Sequence, residues 1–296
     1  MKKFIIMFIC TILLLALIIG QCDDDTSEPA YEEELSSNQT EVVEGQKSGL
    51  VSNVEEKKEA NLDVPKETID VSSIEIPRRT KGITEQIIKR KAYTVSYNKD
   101  TKCPNWVAWY LSADHVDGEW ARSNDFREDY DVPVPRATND DYRGSKWSRG
   151  HMCPAGDNKW DAEAMSETFL MSNVCPQDRN LNSGLWNRVE MDSRKWAKKY
   201  GGVYIVCGPL YYNKEHELIG YNKVVVPEAF YKVILCIEGR PKAIGFIVKN
   251  NEGTKKKDQY VNSVDEVERI TGFDFFPELP DDIENVVETK ANLSDW

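Results

Sequence analysis

The sequence predicts a single α+β domain over residues 81–290, built around a central sheet. Four apolar, β-branched runs in its second half are typical of strands with buried faces, at residues 203–207, 223–226, 230–237 and 243–248. One long amphipathic helix precedes them, and no internal repeat is present. A domain of this length, rich in Trp, Tyr, Val and Ile, is large enough to build one hydrophobic core.

The chain opens with a segment typical of export. Two lysines precede an almost uninterrupted apolar run from Phe4 to Ile19, which is short for a bilayer span of roughly 20 residues. Cys22 follows as at a bacterial lipoprotein cleavage site, although Gln21 replaces the small residue usual there. We therefore expect residues 1–21 to be removed and Cys22 to carry a lipid anchor, with ordinary secretion or an uncleaved anchor as alternatives. Each places the protein outside the cytoplasm.

Residues 22–80 are expected to form an acidic, flexible linker. Between residues 22 and 75 the chain has 16 acidic and 4 basic residues and no sustained periodicity. Such a segment buries too little apolar surface to fold. Residues 22–75 therefore carry a net charge of −12, and the two lysines at the start of the chain carry +2. Since the whole chain carries −12, residues 76–296 carry about −2 and are close to neutral. Binding to nucleic acid would need a local basic patch, because the domain as a whole is not basic.

The first half of the domain combines short elements with long loops. Residues 93–97 and 105–111 have strand-like content, and residues 114–147 are polar and predicted to be irregular. A short strand over His151–Cys153 comes next. A helix over 162–170 and a strand over 169–174 then overlap, so this boundary stays open.

The clearest helix covers residues 183–200. Asn182 or Ser183 can cap its start, and Gly201 can end it. Basic residues off its apolar stripe offer a candidate cationic surface, with an ordinary solvated face as the equal alternative: Arg188, Arg194, Lys195, Lys198 and Lys199. A shorter helix is predicted over 263–271, and the aromatic run 273–277 is interpreted as core.

Five cysteines follow the export segment and Cys22, and none forms a C-x-x-C pair, which argues against a zinc knuckle. Export would permit disulfides, but an odd number leaves at least one thiol free. A Cys153–Cys175 bridge and buried free thiols both remain open.

Three polar residues supply the chemistry needed to cut a phosphodiester. His151 follows Arg149 and Gly150; a neutral imidazole can accept a proton near neutral pH, and the arginine can bind phosphate. Asn182 offers a carboxamide oxygen of the kind Mg²⁺ accepts. Glu190 lies eight residues on, about two helical turns, and so projects from roughly the same side. Taken singly, each is more often structural.

Together these motifs resemble the DNA/RNA non-specific endonucleases of the ββα-metal class. The resemblance rests on Ser148–His151, on Asn173 with Pro176–Gln177, and on Asn182 with Trp186 and Glu190. It spans roughly residues 90–280, including Asp141–Tyr142, Val226–Pro227, Phe230–Lys232 and Val264–Pro277. It implies a ββα-metal finger against a central antiparallel sheet, acting on DNA and RNA with little sequence preference.

The resemblance also implies a role for each site residue. His151 matches the general base that deprotonates water, and Asn182 the protein ligand of Mg²⁺, with Mn²⁺ or another divalent cation as the alternative. The metal would neutralise the 3′ leaving oxygen and leave 5′-phosphate ends. Glu190 matches the acid that holds metal waters, while Arg149 and Asn173 match residues that support the phosphate and the site. A further arginine is Arg122, with Arg136 as its rival.

One position departs from the family pattern, and other functions stay open. Many family members have aspartate where this chain has Ser148, which puts the rate in question but not the class. A non-catalytic nucleic-acid-binding lipoprotein would bind without cleaving, and a phosphodiesterase would turn over small nucleotides but not polymers. A serine hydrolase is disfavoured because Ser148 lacks the G-x-S-x-G context of a nucleophile.

Replacing Cys22 by serine should release the protein from the membrane. A serine hydroxyl cannot carry a thioether-linked lipid, so the Cys22→Ser chain should move from the membrane to the soluble fraction of its host. Fractionation followed by immunoblotting measures this, with Cys10→Ser as the matched control. Retention of the Cys22→Ser chain at the membrane would indicate an uncleaved apolar anchor instead.

Overall fold

A computed structural model describes residues 73–79, 82–251 and 253–296. The predicted export segment 1–21, Cys22 and most of the predicted linker lie outside these residues. None of the helices in the described ranges is long and apolar enough to span a membrane.

The fold is a mixture of strands and short helices. The strands, numbered along the chain, are β1 Arg78–Arg79, β2 Gln86–Lys89, β3 Thr94–Asn98, β4 Cys103–Ser112, β5 Ser148–His151, β6 Val174–Gln177, β7 Gly202–Leu210, β8 Leu218–Ile219, β9 Val224–Val225, β10 Ala229–Cys236, β11 Lys242–Lys249, β12 Val261–Asn262 and β13 Phe273–Asp274. The helices are α1 Ala113–Val116, α2 Ala162–Glu167, α3 Arg179–Leu181, α4 Asn187–Tyr200, α5 Val264–Thr271 and α6 Asp281–Val287. A π-helical turn, Asn182–Trp186, joins α3 to α4.

The predicted central antiparallel sheet is confirmed. Seven strands pair in the order β12-β11-β10-β7-β4-β3-β2, and each pair is antiparallel. Side chains alternate between the two faces of each strand, and helices cover both faces. In β10, Phe230 and Ile234 enter the core under α4, whereas Tyr231 and Val233 enter the core under α5 and α6.

The predicted aromatic core near the C-terminus is confirmed as well. Phe275 and Phe276 are fully buried, and Phe273 lies beside them in the core under α5 and α6. Ile74 fills the same core and is also fully buried, and β1 pairs with β13. Residues 73–79, which the sequence placed in the linker, therefore pack against the folded domain.

Several predicted element boundaries were wrong, each for a local reason. Residues 223–226 do not enter the central sheet, since β9 pairs only with β8 in a separate hairpin. The strand expected at 151–153 begins earlier, at Ser148, because it pairs through Gly150. The apolar run 169–174 is not a strand: it is buried on all sides, turns through a 3₁₀ segment, and the strand starts only at Val174.

The helix predicted over 183–200 begins later than expected: α4 starts at Asn187, and the π-helical turn and the short α3 precede it. Neither Asn182 nor Ser183 is its N-cap. The carboxylate of Asp178 caps α3, accepting hydrogen bonds from the backbone N–H groups of Asn180 and Leu181 at 2.9 and 3.0 Å. Asn250 fixes this junction, because its Oδ1 accepts from Asp178 N at 2.7 Å. The predicted end is confirmed, and Gly201 adopts the left-handed φ of 88° that favours glycine.

Removing the carboxylate of Asp178 should destabilise the domain by about 1 kcal/mol, the usual contribution of an N-cap. Asp178→Ala loses the acceptor, whereas Asp178→Asn keeps one and serves as the matched control. Urea unfolding followed by tryptophan fluorescence measures the difference. Equal unfolding midpoints for Asp178→Ala and the wild type would show that the cap contributes nothing.

Candidate active site

A ββα unit carries the predicted site residues. Strands β5 and β6 form an antiparallel hairpin in which His151 lies opposite Val174, and α3 starts two residues after β6. Gly150 permits the close pairing: a Cβ at this position would lie 2.3 Å from Oε1 of Gln177. The sequence therefore holds His151 at the end of a tightly packed strand, next to the helix that follows.

His151 lies between two aromatic rings. The ring centroids of Phe126 and Phe169 are each 5.0 Å from that of His151, and the imidazole is 7% exposed. Its Nε2 is buried and has no hydrogen-bond partner among the described residues. An unpartnered ring nitrogen is available to accept a proton.

Two arginines flank this imidazole, each over one of the two rings. The guanidinium of Arg149 lies 4.2 Å from the Phe126 centroid, and that of Arg122 lies 5.2 Å from the Phe169 centroid. Both side chains belong to exposed residues, so they can reach a phosphate. Arg149 also donates to Oδ1 of Asn139 at 2.6 Å.

The two arginines that the sequence left as rivals, Arg122 and Arg136, lie in different surroundings. Arg136 donates to the carbonyl oxygens of Asp129 and Val132 and pairs with Glu128 at 3.2 Å. These contacts hold a loop together. Arg122, not Arg136, is the arginine beside His151.

The surroundings of His151 favour its neutral form. Burial, and then the positive charges of Arg122 and Arg149, lower the pKa of His151 from 6.5 to about 3. The imidazole is therefore neutral near pH 7 and ready to take a proton. A bound phosphate would offset the two arginines and strengthen the imidazole as a base.

Asn173 acts on the backbone around His151. It is fully buried; its Oδ1 accepts from Cys153 N at 2.9 Å, and its Nδ2 donates to the carbonyl oxygens of Cys153 and Thr168, both at 2.9 Å. The side chain is thus engaged at both ends. We classify Asn173 as a positioning residue that fixes the loop after His151.

Asn182 opens the π-helical turn, and this turn is docked onto the histidine strand. Nε1 of Trp186, the last residue of the turn, donates to the carbonyl oxygen of His151 at 3.4 Å. The half-buried carboxamide of Asn182 has no hydrogen bond within the described part of the chain. Turns of this type occur frequently at functional sites. The two motifs, distant in sequence, therefore meet through Trp186.

Glu190 lies one turn beyond Trp186, above a group of buried charges. Burial raises the pKa of this carboxyl, and the positive charges of Lys232 and Arg194 oppose that rise. Lys232 is 1% exposed, and its Nζ lies 4.4 Å from the centroid of a Trp186 ring. Arg194 pairs with the buried Asp157 at 2.8 Å. Two anions and two cations thus balance beneath the site.

Sequence reasoning missed part of this environment. Arg194 was assigned to an exposed cationic face, but it forms a partly buried ion pair with the buried Asp157. Lys232 could have been found, because it is the single charged residue in the otherwise apolar strand β10. Phe126 and Asn250 gave no such signal, since their partners lie in distant segments.

The other sequence predictions at the site have clear outcomes. Ser148 pairs with Gln177 at the start of β5, so serine is compatible with the hairpin. All five cysteines in the described residues are free thiols, so no Cys153–Cys175 bridge is formed.

The oxygen donors at the site fit a hard divalent cation. Asn182 offers a carboxamide oxygen that is not used by the described residues, and Glu190 follows eight residues later, in the first turn of α4. Mg²⁺ commonly takes one or two protein oxygens and keeps several waters. Asn182 would hold such an ion directly, and Glu190 would hold its waters.

A hairpin that presents a histidine without a partner among the described residues, followed by a helix with oxygen donors, is a ββα arrangement. The family model for DNA/RNA non-specific endonucleases matches residues 71–282, and the chain belongs to that family. It is 39% identical over 207 residues to the mitochondrial nuclease EXOG of Xenopus laevis, a match that covers 64% of this chain and 58% of that protein. It is 32% identical over 209 residues to the mitochondrial endonuclease G of Homo sapiens, covering 66% of this chain and 70% of the other.

A solved structure gives the same result. The chain is similar to a crystal structure of the EndoG/EndoGI complex, with a TM-score of 0.62, 31% identity and coverage of 67% of this chain and 88% of that one. The predicted family and fold class are thereby confirmed. The chain spans 58% of the length of the frog and human EXOG relatives it matches.

Removing the positive charge of Arg122 should raise the pKa of His151. The native pKa lies below the ordinary value, so the unfolded chain binds a proton first as the pH falls from about 6.5 to 3, and the stability supplied by neutral His151 is lost across that window. In Arg122→Leu the lower limit of this pH range should rise, because the native pKa of His151 rises toward its ordinary value. Imidazole NMR titration measures the pKa, with Arg136→Leu as the control. The same His151 pKa in Arg122→Leu and the wild type would contradict this placement.

Proposed function

We propose that this protein is a metal-dependent endonuclease that hydrolyses phosphodiester bonds of DNA and RNA with little sequence preference. The observation that carries the proposal is the buried, unpartnered Nε2 of His151, flanked by Arg122 and Arg149 and joined through Trp186 to the turn that bears Asn182. Membership of the DNA/RNA non-specific endonuclease family supports the same activity.

His151 is the general base in this proposal. A water molecule in line with the scissile bond transfers a proton to Nε2 as its oxygen attacks phosphorus. Cys153 and Thr168, held by Asn173, keep the backbone around the imidazole from moving during this transfer. The flanking rings of Phe126 and Phe169 exclude bulk solvent from the nitrogen.

The arginines bind the phosphate and stabilise the charge that develops on it. Arg122 and Arg149 lie over the two rings that pack against His151, and both charges act on its imidazole, so a phosphate at His151 would lie near both guanidinium groups. A divalent cation bound by Asn182 would supply the positive charge that the departing 3′ oxygen requires, leaving 5′-phosphate ends. Glu190, which lies near the positive charges of Lys232 and Arg194, would hold water on such a cation.

The proposed lack of sequence preference follows from the kind of contacts available. Guanidinium groups and a metal recognise phosphate, which is identical at every nucleotide. Contacts of this kind position the backbone and carry no information about the base.

The export segment and Cys22 support the further proposal that the enzyme acts outside the cytoplasm, tethered to a membrane.

Cleavage of circular DNA and of RNA by the purified full chain tests the activity. Nicking and linearisation of plasmid should require Mg²⁺ and stop in EDTA, and His151→Ala should lower the rate at least about 10³-fold, near the scale of lost acid–base catalysis. His216→Gln is the matched control, because His216 pairs with Glu228 away from the site. Metal-independent binding without cleavage would favour a binding protein, and turnover of small diesters alone would favour a phosphodiesterase.

Asn182 is tested separately, through metal dependence. Asn182→Ala removes the carboxamide oxygen and should shift the Mg²⁺ titration of plasmid cleavage at least about tenfold to higher concentration, the usual size of a lost metal contact. Asn182→Asp keeps an oxygen ligand and should recover much of the affinity. An unaltered titration for Asn182→Ala would refute its role as a ligand.

A further inference from the structure

A cluster of three acidic residues lies on the face of the central sheet opposite to the candidate active site. Asp265 and Glu268 project from one side of α5, three residues apart, and Glu288 follows the end of α6. One carboxylate oxygen from each of the three lies within 4.8 Å of the others. The residues around them, Val264 and Val267, belong to the core under α5 and α6, whereas His151 lies outside it.

Glu288 is the unusual member of this group. It is 4% exposed, and its Oε1 is buried with no hydrogen-bond partner among the described residues. A buried carboxylate oxygen without a donor is costly, and a buried charge is normally paired or bound to a metal. Arg78, whose positive charge acts on the neighbouring Asp274 and Glu284, is itself paired with Glu278 at 2.6 Å. Two more acids, Asp274 and Glu284, add to the negative field.

The rest of the group is fixed in place by the backbone. Asp265 N donates to the carbonyl oxygen of Glu288 at 3.2 Å, which ties the first turn of α5 to the end of α6. Phe275 N donates to Oε1 of Glu268 at 2.7 Å and leaves its other oxygen available. The three carboxylates are thus brought together by the fold itself, although they repel each other.

We propose that Asp265, Glu268 and Glu288 form a Ca²⁺ site that ties α6 to α5. Three carboxylates and no nitrogen or sulfur donor indicate a hard cation. Ca²⁺ accepts six to eight oxygens in flexible geometry, whereas Mg²⁺ usually takes one or two carboxylates and keeps its waters. The site differs from the proposed catalytic centre in both position and donor set.

Isothermal titration of the full chain with CaCl₂, in excess Mg²⁺, tests the site. The wild type should bind one Ca²⁺ that Mg²⁺ does not displace, and Glu288→Gln should bind it at least tenfold more weakly. Glu266→Gln is the matched control, since Glu266 lies on the same helix but pairs with Arg269. Asn182→Ala should keep this Ca²⁺, which separates it from the catalytic metal.

Thermal unfolding gives a second reading that does not depend on activity. Ca²⁺ should raise the Tm of the wild type and of Glu266→Gln but not that of Glu288→Gln. If Glu288→Gln fails to fold, the exposed Asp265→Asn takes its place. Absence of Ca²⁺ binding in the wild type, or equal binding in wild type and the Glu288 and Asp265 variants, would overturn the proposal. If Glu288→Gln has a higher Tm than the wild type without metal, and the wild type binds no Ca²⁺, the three carboxylates hold protons and the proposal fails.

Discussion

The site depends on keeping one imidazole nitrogen buried, neutral and without a partner in the described part of the chain. An unsatisfied buried acceptor costs about 1–3 kcal/mol, so the surrounding structure must hold it in place. Four contacts do so: β5 pairs with β6, Asn173 bonds to Cys153, Trp186 donates to the carbonyl oxygen of His151, and the thiol of Cys207 donates to that of Met152. The carbonyl groups around the histidine are satisfied, which leaves its Nε2 as the reactive exception.

The central sheet could be predicted because its strands carry their own signal. Strands β7, β10 and β11 are eight or nine residues long and mostly apolar, apart from Lys232 within β10 and the two terminal lysines of β11; burial on both faces produces such runs. The start of α3 could not be predicted in the same way. Its cap, Asp178, depends on Asn250, which is brought there only by the folded sheet. Residues 169–174 misled for a similar reason, since apolar content shows burial but not the shape of the backbone.

Part of the candidate site could be predicted from the sequence, because some of its residues belong to short motifs. His151, Asn182 and Glu190 stand at spacings that a hairpin and a helix impose, so their chemistry and order in the sequence were enough to group them. Phe126 and Phe169, which enclose the histidine, lie in segments whose sequence is typical of ordinary loops and cores. The choice of Arg122 over Arg136 also required coordinates, because only packing shows which guanidinium is engaged by a loop.

Buried charges are compensated by different means on the two faces of the sheet. Beneath the active site, Lys232 and Arg194 are matched by Glu190 and Asp157, so that face is neutral within the protein itself. On the other face, Glu288 is about as deeply buried as Lys232 and Asp157, yet its neighbours are also acids and its Oε1 has no donor in the described residues. Since burying charge is costly on both faces, the proposed Ca²⁺ would supply the positive charge that this second group lacks. The same cation would at the same time link the two C-terminal helices.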